Sequence, residues 1–199
     1  MFVSSYADPF DAFVAVWDCV RATAPDGFDP ATIALATVDL EGRPSARMVL
    51  VRGVDRDGFV FYTNYASRKA ADLDRNPHAA LCGFWFWLKQ QVRVEGRVTR
   101  ATAAESDAYF ASRPRGSQLG AWASPQSAPI GARADLEARV REVEARFPEP
   151  STVPRPPFWG GFRLVPDRVE FWEEGPDRLH DRVVFTRTPG GWARTSLAP

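Results

Sequence analysis

Apolar positions along this chain switch repeatedly between helical and strand periods, and those changes mark out its elements. Phe10, Phe13, Val14, Trp17 and Val20 recur at helical spacing behind Asp8-Pro9, which has the form of an N-cap and first turn. The pattern predicts an amphipathic helix to about Ala22, followed by a turn-rich connector over 24–30. From Thr32 the period falls to two. Strands are predicted at 32–38, 47–54 and 59–63, with hairpin turns at 39–44 and 55–58. A short helix from Ser67 stops near Asn76-Pro77, and two more strands are expected at 79–86 and 91–100. The second alternates cleanly, with Val92, Val94 and Val98 on one face and Gln91, Arg93, Glu95 and Arg97 on the other.

A helix is predicted over 103–112, then a loop to Trp122, then a helix over 131–147. That last helix gathers Leu136, Val140, Val143 and Phe147 on one side, with Glu137–Arg141 and Glu142–Arg146 as i,i+4 pairs. Residues 148–157 hold five prolines and read as a stiff linker, or an arm crossing to a partner subunit. Strands at 158–165, 168–172 and 181–186 close the chain, with 192–196 a candidate for one more. Short strands joined by tight turns, with few crossover helices, favour an antiparallel barrel over a doubly wound sheet. The expected class is mainly β with flanking helices (α+β). It divides into an N-terminal helix and connector over 1–30 and a barrel over 31–199, one domain overall.

With 199 residues, 45% of them apolar, the chain has ample material for a core. No stretch approaches the roughly 18 apolar residues of a membrane span, and the first ten residues lack the form of a signal peptide. Two cysteines, Cys19 and Cys82, make a disulfide framework unneeded, so the cytoplasm is the expected compartment. A formal charge of zero argues against nucleic acid as a partner. The two histidines, His78 and His180, and two distant cysteines cannot be spaced as a zinc site, so no metal is expected. No Gly-rich dinucleotide or triphosphate loop is present.

The cations are nearly all arginine, and they bunch. Ser67-Arg68-Lys69 puts two of them at a helix start, where the helix dipole disfavours cations and a bound anion would reverse the penalty. Arg113-Pro114-Arg115-Gly116-Ser117 offers guanidinium, hydroxyl and backbone N–H on a proline-stiffened loop suited to a second anion. Arg178-Leu179-His180-Asp181-Arg182 alternates at the entry to a strand, which would put Arg178, His180 and Arg182 on one face. Arg47 and Arg52 flank the apolar run Met48, Val49, Leu50, Val51. Two anions and a flat apolar ligand would satisfy these clusters together.

From about Phe28 to Pro199 the chain resembles the pyridoxamine 5′-phosphate oxidase family. The matching stretches are Ala36-Thr37-Val38, 47–51, Phe61-Tyr62-Thr63-Asn64, Ser67-Arg68-Lys69, 112–120 with Ala121-Trp122, Gln126-Ser127, 158–162, Glu170-Phe171-Trp172, 178–182 and Leu197-Ala198-Pro199. The resemblance implies an FMN-binding split barrel, a homodimer with the flavin between subunits, and phosphorylated vitamin B6 as substrate. It assigns FMN to Arg47, Met48, Val49, Leu50, Val51, Arg52, Tyr62, Thr63, Arg68, Lys69, Gln91, Gln126, Ser127, Trp172 and Arg182. The substrate phosphate falls to Tyr109, Arg113 and Ser117 with Arg52, while Arg178 and His180 face the reacting carbon. In such enzymes hydride passes from substrate C4′ to flavin N5, and O2 reoxidises the flavin to give H2O2. Arg52 departs from the family, most of whose members carry lysine there, and regular strand parity sets Arg47 and Arg52 on opposite faces. Two other readings of the same clusters are a sister flavin oxidase of phenazine-type metabolism and a non-catalytic flavin- or pyridoxal-phosphate-binding protein.

Overall fold

The computed structural model describes residues 2–199. Helix α1 (Pro9–Thr23) is capped by the Asp8 carboxylate, which accepts from the Phe10 N–H at 2.7 Å. Strands β1 (Thr32–Val38), β2 (Pro44–Asp55), β3 (Gly58–Asn64), β4 (His78–Trp85), β5 (Gln90–Arg100) and β6 (Trp159–Glu173) are all antiparallel to their neighbours. They run in the order β3-β2-β1-β4-β5-β6, and pairing of β3 with β6 closes the six into a barrel. Strands β7 (Asp181–Thr188) and β8 (Gly191–Ser196) extend the sheet beyond β6. Helices α2 (Arg68–Arg75), α3 (Ala103–Ser112), α4 (Arg115–Ala123) and α5 (Arg133–Arg146) flank it.

Alternation along each strand fills the barrel, with Ile33, Leu35, Val49, Val51, Phe59, Phe61, Leu81, Val92, Val94, Leu164 and Phe171 all buried. The apolar stripe of α1 joins that core. Phe13 meets Phe59 edge-on at 4.9 Å and Phe10 stacks on it at 5.9 Å. A second, smaller core binds α3 and α4 to the 148–157 arm through Phe110, Leu119, Val153 and Trp159, with Val143 and Phe147 of α5 packed against it.

Four sequence expectations change. Residues 113–122 are not a loop throughout: Pro114 is the N-cap of α4, where its fixed φ suits a helix start. Gly116 and Gly120 dilute the apolar period there, leaving only Leu119 and Ala123 buried. The two strands expected at 158–165 and 168–172 are one, β6, with a bulge where Gly96 faces Pro166 and Glu95 faces Arg168. Pro166 has no N–H for the ladder, and Gly96 is needed because a Cβ would stand 2.1 Å from the Val165 carbonyl. On α5, Arg133 pairs with Glu137 at 3.0 Å, and Arg146 lies over the Trp122 ring at 4.7 Å instead of pairing with Glu142. Finally, Asp177 and Arg178 adopt left-handed backbone (φ 52° and 62°), so extended geometry starts only at Asp181. The predicted strand face shared by Arg178, His180 and Arg182 is therefore not formed.

Candidate active site

Three groups of polar residues stand on this frame. The first lies between β1, β2 and α2. Arg47 donates to Thr37 Oγ1 (2.7 Å), Ser45 Oγ (2.7 Å) and the Leu35 carbonyl (3.2 Å), and pairs with Asp72 at 3.5 Å. Lys69 is buried and donates from Nζ to Thr63 Oγ1 (3.0 Å), Ser67 Oγ (3.1 Å) and Gln126 Oε1 (3.0 Å). Burial, and then the Arg47 charge, pull the Lys69 ammonium down to about 8. Burial also lowers Arg47, and Arg68 adds to that while Asp72 opposes it. Three cations against one carboxylate make a site that an anion would neutralise. Arg68 is exposed at the first position of α2, whose N-cap Ser67 makes no side-chain cap.

The second group lines a cleft of about 410 Å³ built by β2, β3 and the α3–α4 junction. Leu50, Arg52, Tyr62, Thr63, Tyr109, Arg113, Ser117, Gln126 and Trp159 form its walls. Tyr62 stacks on Tyr109 at 4.0 Å and on Trp159 at 5.6 Å. Arg113 caps the C-terminus of α3, and its guanidinium sits 4.8 Å from the Trp159 ring. Its Nη1 is buried with no hydrogen-bond partner, and burial lowers its proton affinity. A half-buried guanidinium with an unmade bond is a receptor for an anionic oxygen. Thr63 and Gln126 belong to both groups, joining the Lys69 site to this cleft. Arg115 takes no part, because it turns away to the Ser151 and Phe147 carbonyls.

The third group is a row across four strands, in which Phe84, Gln91, Trp172 and Arg182 are successive cross-strand partners. Arg182 grips Glu170 Oε1 with Nε at 2.9 Å and Nη2 at 2.7 Å, and holds the Ala198 carbonyl at 2.9 Å. Glu170 is only 2% exposed and also faces Arg93 and Arg168 at 3.5 Å. The His180 ring packs on Trp172 at 4.6 Å, and its Nδ1 accepts from the Gly175 N–H at 3.3 Å, which leaves Nε2 to carry the proton in the neutral ring. Arg178 is exposed on its left-handed turn.

The structure thus brings Arg52, Tyr109, Arg113 and Ser117 together, and sets Thr63, Lys69 and Gln126 beside them. Gln91, Trp172, His180 and Arg182 form a separate group that lines neither site. Arg47 and Arg52 leave opposite sides of β2, Arg47 with the buried Val49 and Val51, Arg52 with the exposed Met48 and Leu50. Val49 and Val51 belong to the barrel core, so a ligand outside can reach only their backbone. Ser127 sits on an exposed left-handed turn (φ 71°). Sequence reasoning gave no role to Asp29, Asp72, Trp159 or Gly175. Gly175 acts on His180 five residues away, whereas Asp29, Asp72 and Trp159 act through contacts distant in sequence.

The closed six-stranded barrel, its paired extension and the cation-lined cleft define a split-barrel protein with a site for anionic ligands. Residues 27–147 match the family model described as pyridoxamine 5′-phosphate oxidase, and 159–199 match the pyridoxine 5′-phosphate oxidase C-terminal dimerisation region. The chain belongs to the pyridoxamine 5′-phosphate oxidase family. It is 59% identical over 179 residues to a pyridoxine/pyridoxamine 5′-phosphate oxidase of Anaeromyxobacter dehalogenans, covering 90% of each chain. To the protein of that name from Burkholderia thailandensis it is 55% identical, covering 96% of this chain and 89% of the relative. Among solved structures it is similar to PhzG of Burkholderia lata, crystallised with tetrahydrophenazine-1-carboxylic acid (TM-score 0.91, 29% identity, 98% and 94% coverage). Among the described residues no helix is long and apolar enough to cross a membrane.

Proposed function

We propose that this protein oxidises pyridoxine 5′-phosphate and pyridoxamine 5′-phosphate to pyridoxal 5′-phosphate, with FMN as cofactor and O2 as acceptor. The observation that carries this reading is Arg113, whose unpartnered Nη1 lies in a cleft with Tyr109, Ser117 and Arg52, a receptor of the right charge for a phosphate monoester. The second cationic site, with Arg47, Arg68 and Lys69, fits the phosphate of a mononucleotide.

The flavin, when bound, supplies the hydride acceptor and delivers the electron pair to O2, giving H2O2. The alcohol substrate then needs no further reactant, while the amine yields an imine that water hydrolyses to aldehyde and ammonia. This chain's part is positioning. Arg113, Tyr109, Ser117 and Arg52 hold the substrate phosphate and so fix C4′. His180, its ring set by Trp172 and the Gly175 N–H, presents Nε2 to the C4′ substituent, and the exposed Arg178 approaches the same substituent from its left-handed turn. These two stand apart from the cleft within one subunit. A homodimer that lays the third group of one subunit against the first two of its partner completes the site. The exposed Met48, Leu50 and Phe84 on the outer sheet face, and the dimerisation region over 159–199, support that arrangement.

A phenazine-type oxidase remains the second reading because of the likeness to PhzG, and identities of 55–59% to the B6 oxidases favour the first. Aldehyde formation from pyridoxamine 5′-phosphate by the purified protein, with chromatography of the released flavin, tests both halves. FAD in place of FMN, or no aldehyde from either phosphate ester, refutes the proposal.

A further inference from the structure

Arg52 stands where two clefts meet. It lines the cleft of Arg113 and Ser117, and it lines another of about 450 Å³ under α1, whose walls include Phe13, Trp17 and Asp29. The β2–β3 register jumps from Val51 opposite Phe61 to Gly53 opposite Val60, so Arg52 has no residue across from it. Its side chain is directed by Asp29 instead, with Nη2 donating to Asp29 Oδ2 at 2.6 Å. Asp29 is itself held in place. Its Oδ1 accepts from the Ala31 N–H at 3.0 Å, and the Ala31 carbonyl accepts from the Val51 N–H at 3.0 Å, which fixes this turn to β2. Asp29 lines the α1 cleft, whereas the lining of the Arg113 cleft carries no carboxylate.

We propose that Asp29 is a specificity-determining residue that acts through Arg52: its carboxylate competes with the ligand's phosphate for one guanidinium, and so sets how strongly the site prefers phosphorylated ligands. The inference rests on the phosphate-site reading given above. The two arginines of the cleft then differ in kind. Arg113 offers an unmade hydrogen bond, whereas Arg52 must yield part of an ion pair already formed. Arginine suits a shared role because its fork has N–H groups on more than one edge, while a lysine ammonium acts as a point charge. The Asp29 carboxylate is 42% exposed, so the competition has the size of a solvated pair, not a buried one.

The test measures KM for pyridoxine 5′-phosphate and for pyridoxine, and inhibition by inorganic phosphate, in flavin-loaded wild type, Asp29→Asn, Asp29→Glu, Arg52→Ala and Asp29→Asn/Arg52→Ala. Asp29→Asn is expected to lower KM for the ester and Ki for phosphate by roughly two- to five-fold, the scale of an exposed ion pair. KM for pyridoxine should not follow, Asp29→Glu should restore wild-type values, and the gain should vanish in the Arg52→Ala background. Asparagine keeps the oxygen that accepts from Ala31, and thermal unfolding reports whether the turn survives; Asp29→Ser is read in its place if it does not. A raised or unchanged KM in a stably folded Asp29→Asn overturns the proposal, as does a gain that persists without Arg52. Arg113→Ala separates the two layers. If that change leaves KM for the ester alone, the phosphate-site reading falls and this inference with it. A normal Arg113 effect with a flat response at Asp29 sinks this inference only.

Discussion

Arg113 and Arg182 are both partly buried guanidiniums, and they are wired in opposite ways. Each nitrogen of Arg182 has a protein partner: Nε and Nη2 donate to Glu170 and Nη1 to the Ala198 carbonyl. Arg113 faces no carboxylate, rests on Trp159, and keeps Nη1 buried and unbonded. A buried donor left unsatisfied costs on the order of 1–3 kcal/mol, which a protein tolerates where a ligand will supply the acceptor. Arg182 therefore ties the sheet extension together, while Arg113, under the proposed function, receives the substrate phosphate. Membership in a ligand set inherited from a family does not distinguish these roles; the hydrogen-bond inventory of each side chain does.

Glu170→Ala strips a 2%-exposed carboxylate from Arg182, Arg93 and Arg168. Removing one partner of a buried pair costs about 3–5 kcal/mol, and the half-exposed guanidiniums here place the expected loss near the lower figure. Thermal or urea unfolding of the variant reads it, and a loss below about 1 kcal/mol would mean that the cluster is solvated. Arg113→Ala should do the reverse. Its stability stays within about 1 kcal/mol of wild type, because no protein partner is orphaned, but KM for the phosphate ester rises roughly 10- to 100-fold, the worth of a charge-assisted bond of about 1.5–3 kcal/mol. Equal losses for flavin and substrate would reassign the cleft to the cofactor.

Lys69 sharpens the comparison through pH. Its folded-state value, about 8, lies below the ordinary 10.5. Between those values the unfolded chain binds the proton that the folded chain has released, so the ligand-free protein should gain stability as pH rises from about 8 to 10.5. An anion bound at Lys69 favours the charged form, so anion affinity should fall over the same range. Phosphate-dependent melting shifts measured between pH 7 and 10 report it, and Lys69→Met should flatten the trend. The smallest effect is expected at Arg52→Lys, with a few-fold rise in kcat and little change in flavin affinity. Complete loss of flavin there would mark Arg52 as a cofactor anchor.

The barrel was readable because its strands bury one face, so residues such as Val92, Val94 and Val98 alternate without exception. Helix α4 was not, since two of its nine residues are glycines and only Leu119 and Ala123 are buried. The same limit divides the site. Arg113 could be picked out by its cluster around Pro114, Arg52 by its place beside the apolar run 48–51, and both by the family pattern. The partners that decide their roles, Asp29 for Arg52, Glu170 for Arg182 and Trp159 for Arg113, reach them only through the fold. The left-handed turn at Asp177 and Arg178 carries no glycine at either position to announce it, and it takes Arg178 off the strand face expected to be shared with His180 and Arg182.

The most direct test of the account is the ratio of kcat/KM for pyridoxine 5′-phosphate over pyridoxine, measured in the flavin-loaded wild type and in Arg113→Ala. The account predicts strong preference for the phosphate ester in the wild type and collapse of that preference, by roughly ten-fold or more, in the variant. A wild type indifferent to the phosphate, or a preference that survives loss of the Arg113 guanidinium, would contradict it.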